Sequence, residues 1–163
     1  MKIYLASPLG FSPEYDDYRH RIKEKLQQQG CIVLDPWDQS QFEVEIEETE
    51  RISSVSDRLS IYMAIATKIG HANEVLIREA DLLLAVLDGL EVDSGTASEV
   101  GFAAALGKKC YGLRTDRRDS GDFPGLPFNL QVLHFITSTG GKVFRRIDEI
   151  IITCPEAGTP GVS

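Results

Sequence analysis

Short apolar runs alternate along this chain with longer segments whose apolar residues recur at helical spacing. Ile3–Ala6 is the first run and reads as a strand. Ser12-Pro13-Glu14 then carries helix-start chemistry: a capping serine, a proline at the first helical position and an early acid. Tyr15, Tyr18, Ile22 and Leu26 follow on one helical face, and Gly30 stops the helix. Cys31–Leu34 is a second strand, closed by Asp35-Pro36-Trp37. The acidic stretch Gln41–Glu50 reads either as a helix or as a mobile lid. Ser60–Glu79 is helical in pattern, with Ile61, Ile65, Ile69 and Leu76 on or near one face and Gly70 weakening its middle. Leu82–Leu87 has no polar alternation at all, which marks a central parallel strand covered on both sides.

The second half repeats the alternation. Asp88–Gly95 is a loop, Thr96–Leu106 an alanine-rich helix ended by Gly107, and Lys109–Leu113 a fourth strand. Arg114–Pro127 is a polar loop, and Phe128–Ile136 is apolar but fits helix and strand equally. Val143–Ile152 is expected to form the last helix. Residues 1–154 therefore read as one domain, and 155–163, with two prolines and two glycines, as a flexible tail. Strands separated by helices predict an α/β fold: a single-domain, flavodoxin-like, doubly wound parallel sheet with helices on both faces. Ligands of such sheets bind at the carboxyl ends of the strands. That directs attention to Ser7–Phe11, Asp35–Gln39, Asp88–Gly95 and Arg114–Pro127.

Composition narrows the class of function. A formal charge of −8 disfavours binding to a nucleic-acid polymer but leaves room for a small nucleoside. Cys31, Cys110 and Cys154 form no C-x-x-C pair, and their odd number argues against a disulfide framework. A reducing, cytoplasmic setting is the expectation. No metal site is expected, because His20, His71 and His134 are scattered. The chain enters a strand almost at once, without the layout of a signal peptide, and no apolar run is long enough for a membrane span.

The richest chemistry lies in Asp88–Gly101, after the most apolar strand and at the start of a helix. Asp88, Asp93 and Glu99 fall at one strand end, where like charges raise one another's pKa values. Such crowding suits a pair in which one carboxylate attacks a glycosidic carbon and the other assists the leaving group. Thr96-x-x-Glu99 is equally the spacing of a helix capping box, and Asp93 equally suits a turn or cap.

Taken together, Tyr4-Leu5-Ala6-Ser7-Pro8, Ala80-Asp81 before an apolar strand, Asp93-Ser94-Gly95-Thr96-Ala97-Ser98-Glu99-Val100-Gly101 and Asn129-Leu130-Gln131 resemble the nucleoside 2-deoxyribosyltransferases. Tyr111-Gly112-Leu113-Arg114-Thr115-Asp116 is similar to a bacterial and archaeal branch of that family. The likeness runs from about Lys2 to Ile136. It implies that Glu99 is a nucleophile forming a covalent 2-deoxyribosyl ester. Asp93 would contact and help protonate the base, and Tyr4, at the end of the first strand, would orient the glutamate. Asp81 would belong to the substrate pocket. Asn129 would be offered to a neighbouring subunit's sugar, giving a dimer or dimer-based hexamer with shared sites. Ser7, Trp37, Asp88, Gly95 and Gln131 complete the expected substrate-binding set.

The plain alternatives are a strand aromatic for Tyr4, a helix-end residue for Asp81, a helix cap for Asn129 and loop packing for Trp37. Gln131 departs from the methionine frequent in relatives. The resemblance implies no cofactor, and implies 2′-deoxynucleosides and free nucleobases as the reacting partners. Its rivals are a 2′-deoxynucleoside 5′-phosphate N-glycosidase and a non-catalytic nucleotide-sensing domain. The first would want a cation in Ser7–Pro13, which has none. A phosphoacceptor at Asp88 would want an acidic pair after the first strand, and Tyr4–Gly10 has none.

Overall fold

A computed structural model describes residues 1–152; the expected tail lies outside the described residues. Five strands, β1 (Lys2–Ala6), β2 (Ile32–Leu34), β3 (Leu82–Val86), β4 (Lys109–Leu113) and β5 (Val143–Phe144), form one sheet in the order β2-β1-β3-β4-β5. Every pairing is parallel, as in Tyr4 beside Leu83 and Leu84 beside Tyr111. This is the flavodoxin-like strand order, and its direction of winding reverses between β1 and β3. The helices are α1 (Asp16–Gln27), α2 (Ser40–Glu50), α3 (Val55–Glu79), α4 (Ser94–Ala105) and α5 (Leu130–Ser138).

The two faces divide by strand alternation. Ile3, Leu5, Leu82, Leu84 and Val86 pack under Ile22 and Leu26 of α1. Tyr4, Ala6, Leu83, Ala85 and Leu87 pack under Ile77 of α3, Val100 and Ala103 of α4, and Val132 and Ile136 of α5. Leu82–Leu87 is buried throughout, which explains why that run carries no polar residue.

Several boundaries move for physical reasons. The helix expected from Ser12 begins as a 3-10 turn, Pro13–Tyr15, and the Ser12 side chain makes no capping bond. Gly30 turns the chain out of α1 with φ +77, a conformation that other residues adopt rarely. Gln41–Glu50 belongs to a helix, packed on α3. The α3 helix starts at Val55, with Ser54 accepting from the Asp57 N–H as cap. Phe128–Ile136 resolves as helix from Leu130 onward.

The expected last helix over Val143–Ile152 does not form. Val143 and Phe144 pair with Gly112 and Leu113 as the edge strand, and only a 3-10 turn, Ile147–Glu149, follows. Buried Ile150 and Ile152 flank exposed Ile151, the alternation of extended chain. This segment closes the α1 face where a helix was expected.

Candidate active site

Strand alternation in β1 turns Tyr4 toward the α4 face, in the middle of the strand and not at its end. Its hydroxyl donates to Glu99 Oε1 at 2.6 Å. Glu99 is able to accept this bond because it is not folded back into a capping box. The cap of α4 lies three residues earlier than the Thr96 spacing suggested, at Asp93: Oδ2 accepts from the Thr96 N–H at 2.8 Å. Glu99 is thereby moved into the second turn of α4, facing β1.

Burial pushes the Glu99 carboxyl up to about 7, with the nearby Asp93 charge adding to the rise and the Tyr4 hydrogen bond opposing it. Burial, together with the Glu99 charge and hydrogen bond, pushes the Tyr4 hydroxyl well above its ordinary range. The tyrosine is thus a fixed donor at neutral pH. Gly95 keeps the cap open: a Cβ there would come within 3.1 Å of Asp93 Oδ2.

Asp88 does not join this pair. Its carboxylate accepts from the Thr115 N–H (2.6 Å), the Asp116 N–H (2.7 Å), the Thr115 hydroxyl (3.0 Å) and the Tyr18 hydroxyl (2.9 Å). It fastens the loop after β3 to the loop after β4 and to α1. Adjacent residues leaving a strand point to opposite faces, so Leu87 enters the α4 face and Asp88 the α1 face. The expected crowding of three carboxylates reduces to two.

Ser7 is buried, with its hydroxyl accepting from the Leu9 N–H at 3.0 Å and its carbonyl accepting from Trp37 Nε1 at 2.8 Å. Trp37 lies against Gly10, where a Cβ would sit 2.0 Å from the indole, and meets Phe11 edge-on at 4.6 Å. This is loop packing, and it locks the first loop to the Pro36–Asp38 turn. Asp81 sits at the opposite, amino edge of the sheet, where it accepts from the Lys2 N–H at 2.7 Å. The structure does not bring it to Tyr4 and Glu99, so its place is that of a strand-entry residue. Asn129 caps α5, accepting from the N–H groups of Gln131 and Val132 (3.0 and 3.2 Å), and both Asn129 and Gln131 are exposed. Among the described residues, no group of three or more His, Cys, Asp or Glu is arranged to hold a metal.

The family model for nucleoside 2-deoxyribosyltransferase matches residues 3–131. The chain belongs to that family. Its members act on N-glycosidic bonds. No curated protein matches the sequence. Among solved structures, a conserved protein from Enterococcus faecalis V583 is similar at TM-score 0.63 and 24% identity, covering 91% of this chain and 93% of that one. A 2-deoxyribosyltransferase from Bacillus psychrosaccharolyticus is similar at 0.55 and 23%, covering 91% and 89%. A CMP N-glycosidase from Clostridium botulinum, BcmB, aligns at 0.49 and 19%, covering 91% and 93%. The first two likenesses bear on the deoxyribosyltransferase fold. Among the described residues no helix is long and apolar enough to cross a membrane.

Two residues of this family member's carboxyl edge escaped the sequence reading. Asp35, at the end of β2, is buried; Oδ1 accepts from the Trp37 N–H at 3.0 Å while Oδ2 has no hydrogen-bond partner. Burial raises its carboxyl pKa, against the pull of Arg19 at 3.8 Å and Lys23 at 3.5 Å. Arg114 is completely buried at the end of β4. The signal available for Asp35 was its place between an apolar strand and a proline. For Arg114, the signals were its place directly after a strand and within the run Tyr111–Asp116, neither of which told of burial.

Removing the Tyr4 hydroxyl takes away the one interaction that holds the Glu99 pKa down. In Tyr4→Phe the Glu99 carboxyl should titrate above about 7, so the acid limb of a kcat/KM profile moves to higher pH. A profile of the variant that overlays the wild type would mean that the hydrogen bond does not act on Glu99.

Proposed function

We propose that this enzyme moves the 2-deoxyribosyl group of a 2′-deoxynucleoside from one nucleobase to another, through an ester on Glu99. The observation that carries the reading is the Tyr4–Glu99 hydrogen bond with the Asp93 charge acting on the same carboxylate. Tyr4 holds one oxygen of Glu99 and leaves the other to attack the anomeric carbon. As the C–O bond forms, the C–N bond breaks and the base leaves with the proton of Asp93, the reacting form of the pair being the one in which Glu99 is ionised and Asp93 holds the single proton they share. An incoming base then attacks the ester from the face the first base vacated, returns a proton to Asp93 and frees Glu99. Two inversions give net retention.

The absence of a 2′-hydroxyl makes the oxocarbenium-like transition state easier to reach. Water in place of the second base gives slow hydrolysis. An unphosphorylated substrate is favoured because Ser7–Pro13 carries no cation and Arg19 already faces Asp16 and Asp35, each at 3.8 Å. Asn129, exposed at the cap of α5, is the residue we assign to a neighbouring subunit's sugar, in a dimer or dimer-based hexamer.

The test is base exchange. Deoxyinosine with adenine, and thymidine with adenine, are followed for deoxyadenosine by chromatography, with Glu99→Ala alongside. Deoxyadenosine formed by the wild type and not by the variant supports transfer, and the better donor sets the base class. Free base without exchange replaces transfer by hydrolysis, to be followed with 5′-phosphates. Inertness toward every deoxynucleoside and deoxynucleotide rejects the assignment.

A further inference from the structure

Arg114 is fully buried, and the acceptors that its guanidinium bonds are carbonyls and a hydroxyl, not carboxylates. Its Nη1 donates to the carbonyls of Leu87 and, at 3.0 Å, Gly89. Its Nη2 donates to the Arg118 carbonyl at 3.0 Å and to the Ser120 hydroxyl at 3.1 Å, while Nε has no partner. The guanidinium lies over the ring of Phe128, 5.8 Å from its centre. A buried guanidinium with no carboxylate hydrogen-bonded to it is an expensive filler, and an apolar side chain would occupy the same volume at less cost. What only the planar fork supplies is a simultaneous grip on two separate loops.

The gripped carbonyls flank Asp88, which is itself held by the next two residues after Arg114, Thr115 and Asp116. Residues 87–89 are therefore fixed from β4. Only Leu90–Val92 separates this anchor from Asp93, the cap of α4. Asp93 is held on the α4 side by its Oδ2 bond to the Thr96 N–H, and on the other side those three residues tie it to this anchor.

We propose that Arg114 is a positioning residue for the glycosidic reaction: by clamping Leu87 and Gly89 to the loop after β4, it holds Asp93 at its working distance from Glu99. This rests on the reaction proposed above. The groups that bear on Glu99 are Tyr4 from β1 and Asp93 from the cap of its own helix. Those near the clamp are Asp88 and Asp116, and the latter feels the Arg114 charge.

Arg114→Lys keeps the charge and loses the fork, so it isolates geometry. Two readouts are taken on the intact protein: kcat and KM across pH for deoxynucleoside cleavage, and the Glu99 titration by carbon NMR of labelled glutamate. The expected result is a kcat lower by on the order of tenfold to a hundredfold, with KM little changed. The Glu99 titration, and with it the acid limb, should move to lower pH as Asp93 relaxes away and its repulsion weakens. Wild-type values, or an equal loss of rate at every pH with Glu99 titrating as before, would overturn the proposal. If Arg114→Lys does not fold, Ser120→Ala decides by the same sign of the Glu99 shift. If the wild type cleaves no deoxynucleoside, the reaction has failed, and the NMR shift alone then judges the clamp.

Discussion

Glu99→Gln should produce a protein that is inactive and more stable, with the gain in stability growing as pH rises. Glutamine keeps the shape and still accepts the Tyr4 hydrogen bond, but it cannot form an ester. The loss of activity should span several orders of magnitude. The stability change follows from linkage. Burial raises the folded-state pKa of Glu99 from 4.5 to about 7. Between those values the folded protein binds more protons than the unfolded chain, so stability is present below the lower value and is lost as pH rises through the upper one. The ionised glutamate should cost on the order of 3 kcal/mol at pH 8, a cost absent in the variant. The melting-temperature difference between variant and wild type should widen by several degrees from pH 5 to pH 8. A constant difference across that range would mean that Glu99 titrates near its ordinary value. The carboxylate would then be stabilised by something other than the contacts described.

Asp93 carries two roles that one pair of substitutions separates. Its Oδ2 caps α4, and its charge raises the Glu99 pKa. Asparagine caps nearly as well as aspartate, so Asp93→Asn should melt close to wild type, whereas Asp93→Ala should lose about 1 kcal/mol. Both remove a carboxyl group that donates in its protonated form and repels Glu99 in its ionised form. Both should therefore lower the rate of base departure by roughly 10²–10⁴-fold and move the acid limb of kcat/KM to lower pH. Calorimetry on the two proteins and pH-rate profiles of each provide the check. An Asp93→Asn enzyme with the wild-type rate would reduce Asp93 to a cap, and another group would have to protonate the base.

The sheet could be read from sequence where burial leaves a run without polar residues, as in Leu82–Leu87, or where glycine ends a helix, as at Gly30. Segment 143–152 misled because its apolar residues also fit helical spacing. A two-residue strand is defined by its partner, Gly112–Leu113, and not by its own composition. The site was legible in the residues that share one loop and helix, Asp93 and Glu99. The cap had to be located before Glu99 could be separated from a capping box, and Thr96 and Asp93 are both good capping residues. Asp81 and Asp88 are acids next to the same strand, yet one serves the amino edge and the other a loop clasp. Long-range partners decide such cases. The burial of Arg114 was not legible for a related reason: arginine is almost never fully buried unless paired, and its acceptors are mostly carbonyls, which no sequence spells out.

The chain contains one tryptophan, and it is wedged between the first loop and the turn after β2. All indole fluorescence of this protein thus originates at the rim where the strands end. Its emission wavelength depends on the Nε1 bond to the Ser7 carbonyl and on the edge of Phe11. The protein therefore carries its own optical gauge of that rim: a ligand that parts the two loops would shift the spectrum, with no label attached and no reaction required.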